Sequence, residues 1–185
     1  MIKADVSNKI ARLCQGDIIR DVELIEKAEI LDTGLYISKI VFPYIIVLTQ
    51  DCDLEQDYNN RTSKEVKNQD KHILSVIVAP LYNLAHVYNG EHLSELKLVM
   101  HNFNDNSKTH KGFLEQNNNP RYHYMEFAQS VRIVNSVIDF KHYFTVNNEG
   151  LKEKKASNFV CKVSELYREQ ISLRFANYLS RIGLP

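Results

Sequence analysis

The sequence predicts a mainly β protein that carries helices, an α+β domain whose antiparallel sheet closes or half-closes into a small barrel. Three observations predict it. Short apolar, β-branched runs recur at 17–25, 35–41, 44–49, 73–79, 121–127, 131–138 and 142–146, and runs of that length and composition read as strands. No regular crossover helix separates them, which argues against a parallel α/β sheet. The clearest helical periodicity is at the end of the chain, where Tyr167, Ile171, Phe175, Tyr178 and Ile182 fall on one face.

Taken in order, Ile2, Val6, Ile10 and Leu13 at spacings of three and four predict a short amphipathic helix over 2–13. Gln15-Gly16-Asp17 ends it, and DIIRDVELI (17–25) begins the strands. Asp32-Thr33-Gly34 is a turn into LYISKIV (35–41). YIIVLT (44–49) is almost continuously apolar and reads as a separate strand buried on both faces. The polar stretch 54–72 reads as a loop or inserted segment. ILSVIVA (73–79) is a strand stopped by Pro80. Residues 81–103 read as two short helices broken at Asn89-Gly90, and the Asn-rich 104–120 as an exposed loop. RYHYMEF, VRIVNSVI and HYFTV supply the last strands. Asn147-Asn148-Glu149-Gly150 is a turn, and Ser164 caps the C-terminal helix, with Gly183 and Pro185 as its stop signals. This organises 1–185 as one domain: a barrel core at about 15–80 and 121–146, an insertion at about 81–120, and a C-terminal helix at about 164–182.

Composition bounds the function. Of 185 residues, 44% are hydrophobic and 25% charged, and 23 Lys+Arg balance 23 Asp+Glu. That is the composition of a globular protein with no net charge to suggest a nucleic-acid coat or a polybasic membrane binder. No apolar run approaches the ~20 residues a bilayer requires, and MIKADVSNKIARL lacks the apolar centre of a secretory leader. The cysteines, Cys14, Cys52 and Cys161, are odd in number, and no C-x-x-C occurs. A reducing, cytoplasmic setting is therefore expected, without zinc ribbons or thioredoxin chemistry. No glycine-rich phosphate loop is present.

Three segments, covering about 15–81, resemble the MazF/PemK family of intracellular toxins. Gly16-Asp17-Ile18-Ile19 is similar to that family's opening G-D-[IV]. Pro43-Tyr44-Ile45-Ile46-Val47-Leu48-Thr49 resembles its P-x-x-[VI]-[VIL]-[ST] strand, and Val76-Ile77-Val78-Ala79-Pro80-Leu81 stands in the place of its next core strand. The resemblance implies an SH3-like barrel. It also implies an RNA-cutting site in which an arginine just before the proline works with the Ser/Thr ending the strand. Here Phe42 precedes Pro43, so Thr49 is kept and the arginine is not. An RNase of that type needs a cation near the phosphorane charge and a group to move the 2′-OH proton. Arg20 or Arg121 would have to substitute. The run Val47-Leu48-Thr49-Gln50-Asp51-Cys52-Asp53-Leu54 is also similar to a segment of uncharacterised bacterial proteins on phage-defence or mobile islands.

The acid–cysteine segment is the chemically unusual one. Asp51 and Asp53 flank Cys52 and disfavour its thiolate, which argues against a nucleophile. A divalent metal would reverse that argument by stabilising thiolate and carboxylates together. On an extended chain Asp51 and Asp53 share one face and Cys52 takes the other. Asp51, Cys52 and Asp53, with His123 or His142 from later strands, are the candidate ligands; the plain alternative is a core cysteine among solvated acids. Arg121, Tyr122, His123 and Tyr124 interleave bases with aromatics, a pattern that stacks single-stranded nucleic acid and is also that of a half-exposed strand. Arg168, Arg174 and Arg181 lie on the C-terminal helix as a docking face or a solvated one.

Two functions are carried forward. The first is a non-catalytic binding component of an intracellular bacterial assembly of the phage-defence or toxin–antitoxin kind, without a cofactor. It would meet a protein partner, or nucleic acid, through 54–72, 81–120 and the C-terminal helix, with Arg20, Arg121, Tyr122, Tyr124, Arg174 and Arg181 as binding residues. The second is a hydrolase: a diverged MazF-like endoribonuclease using Thr49 with Arg20 or His123, or a metal-dependent enzyme at Asp51, Cys52 and His123.

Overall fold

The computed structural model describes residues 1–7, 9–65, 68–104 and 112–181. Among these are eight strands: β1 (Ala4–Asp5), β2 (Asp17–Leu31), β3 (Gly34–Val47), β4 (Ser75–Asn83), β5 (Tyr122–Met125), β6 (Ser136–Asp139), β7 (Phe144–Asn147) and β8 (Phe159–Val163). The helices are α1 (Asp51–Thr62), α2 (Leu84–Tyr88), α3 (Asn148–Asn158) and α4 (Glu165–Leu179). The strands form one sheet in the order β1-β8-β2-β3-β4-β6-β5, with β7 also pairing β4. All these pairings are antiparallel. The two ends of the path meet in an isolated bridge between Ile2 and Phe127, where the Ile2 N–H donates to the Glu126 carbonyl at 2.6 Å. The sheet is thus a curled half-barrel, and the fold is α+β.

Strand alternation feeds two cores. Ile18, Ile46, Leu48, Leu81, Met125, Ile138, Cys161 and Val163 point to one face, where Ile171 and Phe175 of α4 pack onto them. Ile19, Ile45, Val47, Val78, Tyr82, Tyr122 and Val137 point to the other, where Leu54 of α1, Val87 of α2, Leu114 and Leu151 of α3 cover them. The expected both-face burial of 44–49 is observed: Ile45, Ile46 and Val47 are each 0% exposed. Such a segment contributes on the order of 1.5–3 kcal/mol per buried side chain.

Several elements differ from the sequence expectation. The described residues of 2–13 form no helix. Ile2 is drawn into one core and Leu13 into the other, while Val6 and Ile10 stay exposed, so their helical spacing serves no face. Runs 35–41 and 44–47 are one strand, because Phe42 continues the ladder opposite Val22 and only the Asp21–Pro43 position, where Asp21 has φ +57°, is skipped. Pro80 does not stop β4. It sits where β4 leaves β7 and takes β6 as neighbour, so its missing N–H falls at a change of partner. The polar segment 54–72 holds most of α1, anchored by Leu54 and by Asp57. The buried Asp57 carboxylate accepts from Arg61 Nε (2.8 Å), the Ile73 N–H (2.6 Å) and Asn148 Nδ2 (2.7 Å). Asn147 to Gly150 is no turn but the start of α3, with Asn147 Oδ1 accepting from the Gly150 N–H. Strand β8 follows and was not expected.

Other expectations hold. Gly34 closes the β2–β3 turn, and the chain breaks at Asn89-Gly90. There φ is +74°, and a Cβ on Gly90 would lie 2.5 Å from the Met100 carbonyl oxygen, so only glycine fits. Only five residues of the first expected helix form α2, and the second is a single 3-10 turn at Ser94–Leu96. Leu114 and the partly buried Phe113 insert into a core, so the 104–120 segment is not wholly an exposed loop; 105–111 lie outside the described residues. Residue Ile182 of the predicted C-terminal face and the stop signals Gly183 and Pro185 also lie outside them. Among the described residues no helix is long and apolar enough to cross a membrane.

Candidate functional site

The residues expected to act together are held apart, each by its own structural partners. Thr49 Oγ1 accepts from the Ile77 N–H at 2.7 Å and so extends the edge of the ladder. Asp51 opens α1 and accepts a two-pronged bond from Arg12 (3.1 and 3.0 Å) and another from the Gln15 N–H (3.0 Å), with Arg168 3.3 Å away. Burial pushes its carboxyl up, but these donors outweigh it and hold the pKa below the ordinary value. It is a clamped anion, unsuited to be a base. Because 51–53 is helical, the two-face alternation of an extended chain does not apply. Cys52 and Asp53 are exposed, so Cys52 is not a core cysteine. Among the described residues no three His, Cys, Asp or Glu side chains are grouped to hold a metal.

The basic and aromatic candidates are mostly internal. Tyr122 and His123 are buried, and Tyr124 is half-buried. Burial, with Arg174 nearby, lowers the His123 pKa to about 4. Arg174 donates to the carbonyls of Asn117, Asn119 and Tyr122, fastening α4 to the β5 approach. Arg181 lies over the Tyr178 ring at 4.2 Å. Arg20 remains exposed beside Asp21. The Gly16-Asp17 pair is a latch: Asp17, fully buried, accepts from the Cys14 N–H (2.8 Å) and from Lys155 Nζ (2.9 Å). That ammonium also donates to the Ile10 and Arg12 carbonyls. Burial raises the Asp17 pKa despite Lys155.

Two features remain open to a ligand, and they adjoin. The first is an arm. Beyond the half-barrel, β2 and β3 continue alone as a two-stranded ribbon from about Leu24 to Ile40. Cross-strand neighbours Ile30 and Leu35, then Ala28 and Ile37, then Ile25 and Lys39, fall on one face. Ile30 is 88% exposed, Leu35 66% and Ile25 60%. A ribbon of two strands is marginal alone, and a grouped apolar face of this kind marks an interaction site.

The second is a cleft of about 610 Å³ at the root of the arm. Its walls are Lys39 to Tyr44 of β3, Leu81 to Asn83 of β4, the 91–96 turn, Val134 and Ser136. Its size and apolar lining are those of a ligand site. Its polar groups are unspent: the Tyr82 hydroxyl and both ring nitrogens of His92 are buried without a hydrogen-bond partner, and the two rings stand 4.9 Å apart. Burial first, then Arg121 and His142, lower the His92 pKa to about 4, although Asp139 and the nearby backbone of His86 oppose them. At neutral pH the ring is therefore an uncharged donor and acceptor. Behind it, the buried Asp139 is held by Arg121 (Nε at 2.7 Å), and His142 Nδ1 lies 2.8 Å from its other oxygen without the alignment of a hydrogen bond. Burial raises the Asp139 pKa, but Arg121 first and then His142 outweigh it and leave it depressed. Burial also raises the Tyr82 pKa, with Asp139 adding to it, so the phenol stays protonated.

Sequence reasoning named Arg121 and His142 but missed Tyr82, His92 and Asp139. No motif joins residues that come from β4, a turn and β6; only the fold does. No family model, curated protein or solved structure matches this chain.

Proposed function

We propose that this chain is a non-catalytic binding protein, built on an SH3-like variant of the half-barrel, that acts as a component of an intracellular bacterial assembly. The observation that carries the proposal is the arm, where Ile25, Ile30, Leu35 and Ile37 group their exposed apolar side chains on one face of a two-stranded ribbon. The spent state of the expected catalytic groups supports it further: Thr49 completes a ladder, Asp51 is clamped by two arginines and His123 lies in a core. The resemblance of residues 15–81 to MazF/PemK, with Phe42 where the toxin family has arginine, suggests the setting: a phage-defence or toxin–antitoxin system, in the cytoplasm, with a protein as partner.

The test sets binding against catalysis. A photo-crosslinking residue at Leu35 in native cells should capture a discrete protein. The same residue at Glu153, exposed on α3, should capture none. Adding Ile30→Asp to the Leu35 crosslinking chain, with an unchanged melting temperature as the check on folding, should abolish the adduct. Labelled single-stranded RNA incubated with the wild type, with or without Mg²⁺ or Mn²⁺, should stay whole. RNA cleavage that vanishes in Asp51→Ala or His123→Ala would overturn the reading in favour of the hydrolase.

A further inference from the structure

The cleft at the root of the arm carries polar groups of opposite character at its two ends. Part of its polar lining is already spent. Asn83 Oδ1 accepts from the Ala85 N–H at 2.9 Å, and Ser136 Oγ donates to the Val134 carbonyl at 2.7 Å. Lys39 is the only lysine or arginine among the described residues of the wall, and its ammonium pairs with Glu23 at 2.8 Å. At the inner end, the Tyr82 hydroxyl and both His92 nitrogens are buried without a partner. Tyr82 is only 7% exposed, and a buried polar atom left unpaired is costly. At the mouth, Glu91 and Glu95 are exposed, and neither meets a cation among the described residues. Between the ends the wall is apolar, with Ile40, Phe42, Leu81, Leu93 and Leu96. Phe42 is backed by Phe144, stacked at 4.9 Å, and so offers a firm aromatic surface.

We propose that the cleft binds a small aromatic amine: a hydroxyl on its ring bonds to Tyr82 and His92, the ring lies in the apolar middle, and the ammonium reaches Glu91 and Glu95 at the rim. The inference goes beyond the reading of the arm and does not rest on it. The charge at each end sets the direction of the ligand. The inner end refuses a charge of either sign. His92 is neutral, the Tyr82 phenol is protonated, and Asp139 behind them is already compensated by Arg121 and His142. A carboxylate or an ammonium there would be desolvated without a counter-charge. A phenol suits that end, because its hydroxyl both donates and accepts, as a neutral imidazole and Tyr82 require. The three atoms are enclosed, so the half-buried His92 ring turns to present a nitrogen as the ligand enters. The rim does the reverse. Its two carboxylates attract a cation and repel a carboxylate or a phosphate. The cleft, at about 610 Å³, has room for a body larger than one ring.

Four probes on one skeleton, titrated into the full ¹⁵N-labelled chain, test this. Tyramine carries both groups and is the minimal member of the class. Phenethylamine lacks the hydroxyl, tyrosol replaces the amine by an uncharged hydroxyl, and 4-hydroxyphenylacetate replaces it by a carboxylate. Tyramine should bind with a Kd below about 1 mM and shift the amides of Phe42, Tyr82, His92 and Leu93. Phenethylamine and tyrosol should each bind about ten-fold more weakly, and 4-hydroxyphenylacetate more weakly still. Tyr82→Phe, checked for unchanged melting, should bring tyramine to the level of phenethylamine. Glu91→Gln combined with Glu95→Gln should bring tyramine to the level of tyrosol. Both glutamates are exposed, so this second variant decides the matter even where Tyr82→Phe does not fold. The proposal is overturned if tyramine does not bind at about 10 mM, if its shifts fall away from the cleft, or if either folded variant keeps the wild-type preference. The crosslink at Leu35 depends on none of these results, so failure here leaves the assignment of the arm standing.

Discussion

The two ends of β3 are built from the same kinds of residue and meet opposite fates. Ile45, Ile46 and Val47 are wholly buried, whereas Leu35 and Ile37 at the other end are 66% and 47% exposed. The difference is in the neighbours. The buried end has β2 on one flank and β4 on the other, with a core above and a core below. The arm end has only β2, and among the described residues no helix lies over its apolar face. A β-branched run therefore encodes a strand, but the sheet around it decides whether its side chains stabilise the fold or are left for a partner.

Truncation at the buried end should have the largest effect. Ile46→Ala removes a side chain enclosed by Ile18, Leu81 and Ile138 and should cost about 3–4 kcal/mol, the range for a large-to-small change in a packed core. Urea unfolding should show a lower midpoint at an unchanged slope. A cost under about 1 kcal/mol would mean that this core is loose, and the contrast between the two ends would fail.

Acid should act next, through the buried histidines. Burial lowers the His123 pKa to about 4, while the unfolded chain titrates near 6.5. The native state then binds fewer protons than the unfolded one between these values. Stability is accordingly full above about pH 6.5 and falls as the pH drops towards 4, by up to about 3 kcal/mol from this residue. His92 acts in the same direction. His123→Leu should flatten part of the fall and leave the rest, as read from unfolding midpoints at pH 7 and pH 4.5.

A smaller effect is expected where the buried end stops. Thr49→Val keeps the shape but removes the acceptor of the Ile77 N–H, which should cost about 1–2 kcal/mol. If the wild type did cut RNA, the same variant would abolish that cleavage only were Thr49 catalytic; a wild type that leaves RNA whole, with this stability loss in the variant, assigns Thr49 to the ladder.

What was legible in the sequence follows the same division. Strands show where side chains alternate between two apolar faces, as from Ile45 to Leu48. Elements held by polar contacts do not show: α3 buries only Leu151 and Lys155 besides its first residue, so no helical stripe marks it, and its cap Asn147 reads as a turn. Helix α1 was hidden for the same reason, its inward residues being Leu54 and the hydrogen-bonded Asp57. The N-terminal spacing misled because Ile2 and Leu13 serve different cores. In the site, Arg121 and His142 stood out by their aromatic neighbours, but Tyr82 and His92 gained meaning only when Pro80 turned β4 away from β3 and opened the cleft.

The smallest expected effect is at the arm. Leu35→Ala removes most of a side chain that packs on one cross-strand neighbour, Ile30, itself 88% exposed. Little apolar area returns to water that was not already there, so the cost should stay within about 0.5 kcal/mol. The same change removes apolar surface from the face that the crosslinking experiment probes, so partner capture should fall while the unfolding midpoint stays put. That separation is the signature of a surface kept for binding. If Leu35→Ala instead lowers stability as Ile46→Ala does, the arm is packed in solution against something that also supports the fold, and a concentration-dependent midpoint would identify a second copy of this chain as that partner.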